Sequence, residues 1–287
     1  MGNFFGTDGI RGIFGQTLTP SLAKNVGNAL CQVKSKPKIL IGSDTRLSSD
    51  ILKCSLAVGV MLGGGDVVDV GIVPTSCVSY LTETLAFDYG VMISASHNPP
   101  EYNGIKIFKH NGRKMNDEEE SNLESYFSTT IETPFQGKYK QKNLSKIYIN
   151  FLVSCSDVSL ENYKICLDCS NGSSYKIAPK VFKKLGAEVF VTGGKNKGEL
   201  INVKCGSLHI ENLIKYVKEK KANFGFAFDG DADRLIAVDD SGEVFDGDKI
   251  IYILARQMKK EGKLYANTVV GTSHTNSGIM NALNKHK

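Results

Sequence analysis

Tryptophan is absent from the 287-residue sequence, proline is sparse at 7, and no apolar run is long enough to span a bilayer. The opening MGNFFGTDGIRG lacks the basic and apolar regions of a signal peptide, so a cytoplasmic protein with no membrane partner is expected. Paired cysteine frames are missing too. The seven cysteines, Cys31, Cys54, Cys77, Cys155, Cys166, Cys169 and Cys205, are odd in number and lie mostly among apolar neighbours. That pattern excludes a disulfide scaffold and predicts reduced core thiols. Cys166 and Cys169 have C-x-x-C spacing, but Cys166-Leu167-Asp168 continues the strand pattern of Tyr163-Lys164-Ile165, and no second pair completes a zinc site. Charge of one sign is not concentrated either: the net charge is +5, and Lys218, Lys220 and Lys221 are interrupted by Glu219. This argues against a nucleic-acid groove and suits solvated helix faces or a small anionic substrate.

What is present describes a globular chain, 41% apolar and 23% charged, long enough for about two domains. Thr19-Pro20 sets a capping hydroxyl before a proline at a first helical position, and Leu22, Val26, Ala29, Leu30 and Val33 continue with helical spacing. Lys38 to Ile41 reads as a strand, Ser49 to Met61 as a helix stopped by Gly63-Gly64-Gly65, Asp66 to Val70 as a strand, and Thr75 to Leu85 as a helix. Tyr89 to Ile93 is an apolar strand leading into SASHNPP. The triple glycine follows a helix, so it reads as a helix stop and turn and not as a nucleotide loop. Strands alternating with helices predict a parallel sheet covered on both faces.

The same order then recurs. KILIGSDTR from Lys38 resembles KICLDCSNG from Lys164, LGGGDVVDVG from Leu62 resembles LGAEVFVTG from Leu185, and DYGVMISASHNP from Asp88 resembles NFGFAFDGDADR from Asn223. Three matches in one order predict an α/β fold of tandem duplicated domains with mainly parallel sheets. The polar stretch from Ser128 to Lys146 is the expected seam, with Ile147 to Cys155 re-entering as a helix. A third copy is expected to start with a strand over Asn267 to Ser273 and a helix over Gly278 to Leu283. The expected domains are therefore residues 1–146, 147–262 and an incomplete third copy over 263–287, the front part of a longer protein.

The two copies differ at the mouth of their last strand, where ligands of parallel sheets bind. One ends in Ser94-Ala95-Ser96-His97-Asn98, with prolines stiffening the loop; the other ends in Asp229-Gly230-Asp231-Ala232-Asp233-Arg234. Three carboxylates on alternate residues suit one hard cation and repel one another without it. An EF-hand fails, because Arg234 stands where glycine is needed and Asp240 where glutamate is needed. A haloacid-dehalogenase-like phosphatase wants Thr or Val in place of Asp233 and leaves SASHNP unexplained. Arg234 suits bidentate contact with phosphate oxygens, and metal with arginine points to phosphoryl transfer. The glycine-rich FGTDGIRG lets backbone amides near Thr7 approach an anion while Arg11 supplies charge. Lys106, in the strand returning from the serine loop, is placed to face the same mouth.

Together, FGTDGIRG, GSDTR at Gly42 to Arg46, SASHNP followed by NGIKIF, and DGDADR resemble the α-D-phosphohexomutase family, in the family's order and over essentially the whole chain. The resemblance implies that Ser96 carries a phosphoryl group and that Asp229, Asp231 and Asp233 hold Mg²⁺ against it, with Ser96 itself as a further ligand through that phosphate. It implies phosphate contacts for Arg234, Thr7 and Arg11, and proton movement or charge stabilisation by His97 and Lys106. The implied reaction interconverts a hexosamine 6-phosphate and its 1-phosphate through a bound bisphosphate, with mannose or glucose phosphates as the alternative substrates. A non-catalytic metal-binding remnant is the alternative of another class. Family members continue with a GENSGH-like sugar loop and an RASGTEP-like phosphate loop, neither of which occurs here. The expectation is a C-terminally truncated form with little activity alone, partnered by its sugar phosphates and by either a second copy or a C-terminal fragment in trans.

Overall fold

The computed structural model describes residues 4–134 and 136–285. In chain order the first unit contains β1 (Phe5–Gly6), β2 (Gly9–Ile13), α1 (Pro20–Val33), β3 (Lys38–Ser43), α2 (Ser49–Leu62), β4 (Asp66–Ile72), α3 (Thr75–Thr84), β5 (Tyr89–Ile93), β6 (Tyr102–Lys109), α4 (Asp117–Glu124) and β7 (Tyr139–Gln141). Its seven strands lie in the order β1-β2-β6-β5-β3-β4-β7. After α5 (Ser145–Ser154), the second unit runs β8 (Lys164–Asp168), α6 (Ala178–Lys184), β9 (Glu188–Thr192), α7 (Glu211–Lys220), β10 (Phe224–Phe228), β11 (Leu235–Asp239) and β12 (Val244–Phe245), in the sheet order β12-β11-β10-β8-β9. Helices α8 (Gly247–Lys260) and α9 (Ser277–Asn284) follow.

The internal repeat is visible in space. β5-β3-β4 in one sheet and β10-β8-β9 in the other have the same order and are parallel throughout, and each carries an antiparallel neighbour, β6 or β11. The parallel expectation thus describes the β5-β3-β4-β7 and β10-β8-β9 parts of the sheets, whereas the other flank of each is antiparallel because the serine and aspartate loops fold straight back into the adjacent strand. The chain therefore presents both loops at equivalent sheet ends.

Local sequence accounts for the layers. Thr19 Oγ1 accepts a hydrogen bond from the Leu22 amide at 3.2 Å and Pro20 opens α1, whose Leu22, Val26, Ala29 and Leu30 are buried. α1 and α2 approach until a Cβ on Gly27 would lie 2.1 Å from the Leu56 carbonyl oxygen and one on Gly59 would lie 1.9 Å from that of Lys24. Every residue of β5 is buried, as its uninterrupted apolar run requires. Each fully buried Val or Ile there stabilises the fold by about 1.5–3 kcal/mol.

Three expectations need correction. The polar seam contains a strand, β7, which pairs in parallel with β4; all three residues of Tyr139-Lys140-Gln141 are exposed, so no apolar pattern marks it. The anticipated strand over Asn267 to Ser273 does not form among the described residues, and its Val270 is 84% exposed, consistent with strand propensity being insufficient without a paired neighbour. The last two residues of the expected third copy lie outside the described residues. Finally, Cys31, Cys77, Cys166 and Cys169 are buried, but Cys54 and Cys155 are exposed and are not core thiols. Cys54 occupies an outward position on α2, and Cys155 follows the last residue of α5.

Candidate active site

β5 ends at Ile93, and the next three residues are locked by their own hydrogen bonds. Ser94 donates from Oγ to Asp44 Oδ2 at 2.6 Å and accepts from the Ser96 amide at 2.9 Å. Its hydroxyl is therefore used within the loop. Ser96 is fully buried and has φ +54°, a left-handed conformation that costs a non-glycine residue on the order of 1 kcal/mol or more. Arg46, also buried, holds it there. Its guanidinium pairs with Asp44 Oδ2 at 2.9 Å and donates to the carbonyls of Ser96 at 2.9 Å, Asn98 at 2.8 Å and Tyr102 at 2.8 Å, and to that of Pro99. A single guanidinium thus gathers four carbonyls of the loop.

The β10–β11 loop turns through Ala232, φ +59°, and brings Asp229, Asp231 and Asp233 together with carboxylate atoms all within 4.8 Å. Ser96 Oγ donates to Asp229 Oδ2 at 2.6 Å, joining the two loops. Asp231 Oδ2 accepts from Thr75 Oγ1 at 2.6 Å and from Lys106 Nζ at 2.9 Å, while its Oδ1 is buried with no partner. Lys106 also reaches Asp233 Oδ2 at 3.2 Å and Asp8 Oδ2 at 3.0 Å. A buried carboxylate oxygen without a donor, inside a cluster of three carboxylates of which two share a single lysine, leaves a place that a cation can complete. The hard oxygen set fits Mg²⁺.

The electrostatics separate the three acids. Burial, with the charges of Asp231 and Asp233, pushes Asp229 up to about 7. Burial and Asp231 raise Asp233 as well. Burial opposes ionisation of Asp231 too, yet Lys106 and Thr75 outweigh it and hold this carboxyl below its ordinary value. Lys106 is buried, which favours its neutral form, but the aspartates around it raise its affinity for the proton, so it remains an ammonium.

The other expected residues are distributed unevenly. Arg11 pairs with Asp8 and reaches Asn98 Oδ1 at 3.5 Å, leaving a buried Nε without a partner. Arg234 lies at the rim, its Nε 3.9 Å from both Asp229 and Asp233. His97 has a buried, unpartnered Nδ1, and its proton affinity is lowered by burial and by Arg234 and Arg11. Thr7 sits exposed at the β1–β2 turn, and among the described residues no hydrogen bond ties its side chain to the serine or the aspartates. Asp8, Asp44 and Arg46 stand in the FGTDGIRG and GSDTR motifs but receive no role of their own from sequence reasoning, which does not single out Thr75 and Asn202 for the site. Asp44, Arg46 and Thr75 follow β3 and β4 directly, so the rule that sites gather at strand carboxyl ends pointed to them. Asn202 lies in an irregular stretch with no such signal.

Comparison with known proteins agrees with this architecture. The phosphoglucomutase/phosphomannomutase family models for alpha/beta/alpha domains I, II and III match residues 2–133, 146–242 and 246–287. The chain belongs to this family, the phosphohexomutases. Among curated relatives, a phosphoglucosamine mutase of Caldanaerobacter subterraneus subsp. tengcongensis is 48% identical over 296 residues, covering 100% of this chain and 66% of the relative. That of Clostridium acetobutylicum is 45% identical over 300 residues, covering 99% and 66%. The chain spans just under two thirds of the length of these relatives. A crystal structure of a phosphoglucomutase/phosphomannomutase family protein from Burkholderia thailandensis superimposes with TM-score 0.79 at 29% identity, covering 88% of this chain and 58% of that one. A Thermus thermophilus structure at 24% identity, TM-score 0.81, covers 90% and 62% and shares the fold. No helix of the described residues is long and apolar enough to cross a membrane.

Proposed function

We propose that these residues form the phosphoserine and metal-binding units of a mutase that interconverts glucosamine 6-phosphate and glucosamine 1-phosphate. The relatives named phosphoglucosamine mutase, at 43–48% identity, support the substrate class. The observation that carries the chemistry is Ser96 Oγ at 2.6 Å from Asp229 Oδ2, beside the bare oxygen of Asp231. Residues 1–146 supply the serine, residues 147–262 supply the aspartates, and 263–287 begin a third unit.

In this reading Ser96 Oγ forms a bond to a phosphorus of the sugar bisphosphate while that phosphorus releases the sugar oxygen; the return reaction reverses these bonds at the other end of the sugar. Asp229 Oδ2 is the acceptor in place for the serine proton. Asp229, Asp231 and Asp233 would hold Mg²⁺, which when bound neutralises charge on the phosphoryl oxygens. Lys106 keeps its proton and acts as a fixed positive charge, whereas His97, biased to its neutral form, is suited to receive a proton. Arg234 and Arg11 add positive charge at the rim for phosphate oxygens, and Thr7 adds backbone at the same mouth.

Treating the protein with glucosamine 1,6-bisphosphate and Mg²⁺, then mapping phosphopeptides by mass spectrometry, should place the label on Ser96. Label elsewhere with Ser96 bare would refute the assignment. A preparation of these 287 residues is expected to turn over glucosamine 6-phosphate slowly by itself, and to gain activity when the remaining portion of a close relative is added in trans. Preferential labelling by mannose or glucose bisphosphate would move the substrate assignment to those sugars.

A further inference from the structure

The serine loop is held by two donors from opposite sides, only one of which belongs to its own sheet. Asn202, nine-tenths buried in the segment after β9, projects its Nδ2 to the carbonyl of Ser96 at 2.8 Å and to that of Asn98 at 3.1 Å. These are the same two carbonyls that Arg46 bridges at 2.9 and 2.8 Å. Both acceptor sites of the Ser96 oxygen are therefore filled, one from each unit. Asn202 itself sits at φ +59°, and its backbone amide is anchored to the Ser170 carbonyl at 3.0 Å. The same contact brings in the metal loop: a Cβ on Gly230 would lie 2.5 Å from the Ser96 carbonyl oxygen and 3.1 Å from Asn202 Nδ2. Gly230 separates two of the three aspartates, so any drift of the Ser96 carbonyl moves the serine relative to both.

We propose that Asn202 is a positioning residue that clamps the Ser96 and Asn98 carbonyls from the second unit, keeping Ser96 in its left-handed conformation with Oγ aimed at the aspartate cluster. This rests on the reading of Ser96 as the phosphoryl carrier. Arg46 alone fixes the loop within the first unit. Asn202 adds the register between the two units, which is the separation across which the phosphoryl group and its cation must meet. Neither Asn202 nor its amide touches a carboxylate of the cluster, so its effect should appear in the rate of transfer and not in affinity for the cation.

The test compares the protein with its Asn202→Ala, Asn202→Asp and Asn202→Gln variants, in single-turnover labelling of Ser96 from glucosamine 1,6-bisphosphate at saturating Mg²⁺. Alanine and aspartate should slow labelling by about 10- to 100-fold, with half-saturating bisphosphate and Mg²⁺ affinity each within about twofold; glutamine, which keeps the donors, should recover part of the rate. Hydrogen exchange over residues 94–104 should accelerate in the alanine variant. An unchanged labelling rate in both alanine and aspartate variants overturns the proposal, as does a loss of Mg²⁺ affinity matching the loss of rate. If the unmodified protein takes no label on Ser96, the functional reading fails separately. Exchange then decides the clamp: acceleration confined to 94–104 supports it, and unchanged exchange refutes it.

Discussion

The two sheets are built from one repeating plan, and equivalent residues often do the same work. Asp88 precedes β5 and accepts from the Lys38 amide at 2.7 Å; Asn223 precedes β10 and accepts from the Lys164 amide at 2.8 Å. Gly90 and Gly225 occupy the same place in their strands, each under a helix, where a Cβ would meet Thr82 Oγ1 at 2.0 Å or Val217 Cγ2 at 2.5 Å. The copies part company at the strand mouths. Ser94 and Ser96 stand where Asp229 and Asp231 stand in the other copy, so one loop offers hydroxyls and the other carboxylates. Even the preceding loops meet, since Thr45 Oγ1 donates to the carbonyl of its counterpart Asn171. Scaffold positions stayed interchangeable while the loop ends diverged into a hydroxyl loop and a carboxylate loop, which meet where Ser96 Oγ donates to Asp229 Oδ2.

Breaking the loop ends should have the largest effects. Ser96→Ala is expected to abolish phosphoryl uptake, at least about a thousandfold below the unmodified protein, with no change in circular dichroism; phosphopeptide mapping and single-turnover kinetics check this. In the opposing loop, Asp231→Asn should weaken Mg²⁺ binding by roughly two decades in calorimetry, because it removes a charge from an all-oxygen site. Unaltered Mg²⁺ affinity would remove Asp231 from the metal site.

The scaffold positions sharpen the comparison with smaller effects. Gly90→Ala and Gly225→Ala should each destabilise by about 1–3 kcal/mol in urea titration through overpacking. Gly90 should cost more, because its strand is buried throughout while β10 is only partly covered. The smallest effect is at the strand starts, where Asp88→Ala and Asn223→Ala should each cost about 1 kcal/mol. Only the first should depend on pH. Burial opposes ionisation of Asp88, but Lys34 and the Lys38 amide hold its carboxyl below the usual value. Its contribution is therefore present above the unfolded value of about 4 and is lost as pH falls through the lower folded value, whereas Asn223 contributes equally across that range. An Asp88→Ala cost that persists unchanged in acid, or an Asn223→Ala cost that falls away with it, would contradict this sign.

Much of this was readable in the sequence because it depends on short-range chemistry. The apolar run of β5 and the Thr19-Pro20 start of α1 marked those elements, and the three matched segments marked the repeated order of elements along the chain. The aspartate triad was legible because repulsion among Asp229, Asp231 and Asp233 demands a cation. Residues acting through long-range contacts were not legible. Thr75 and Asp231 are 156 positions apart, and Asn202 and Ser96 are 106 apart. Nothing in GGKNKGELINVKC distinguishes that asparagine from a turn residue. Strand β7 was missed for a different reason: an exposed edge strand held by backbone pairing and the Tyr139 hydroxyl's bond to Asp69 leaves no hydrophobic alternation to read.

The central claim, that the serine and aspartate loops form a single phosphate and cation site, is tested most directly by Mg²⁺ calorimetry on protein with and without phosphate on Ser96. A phosphate oxygen added to the three carboxylates should raise the affinity by at least about tenfold, since the cation gains a charged oxygen ligand. Equal affinity in the two forms would mean that the cation does not contact the group carried by Ser96, and that the two loops, though adjacent, do not act together.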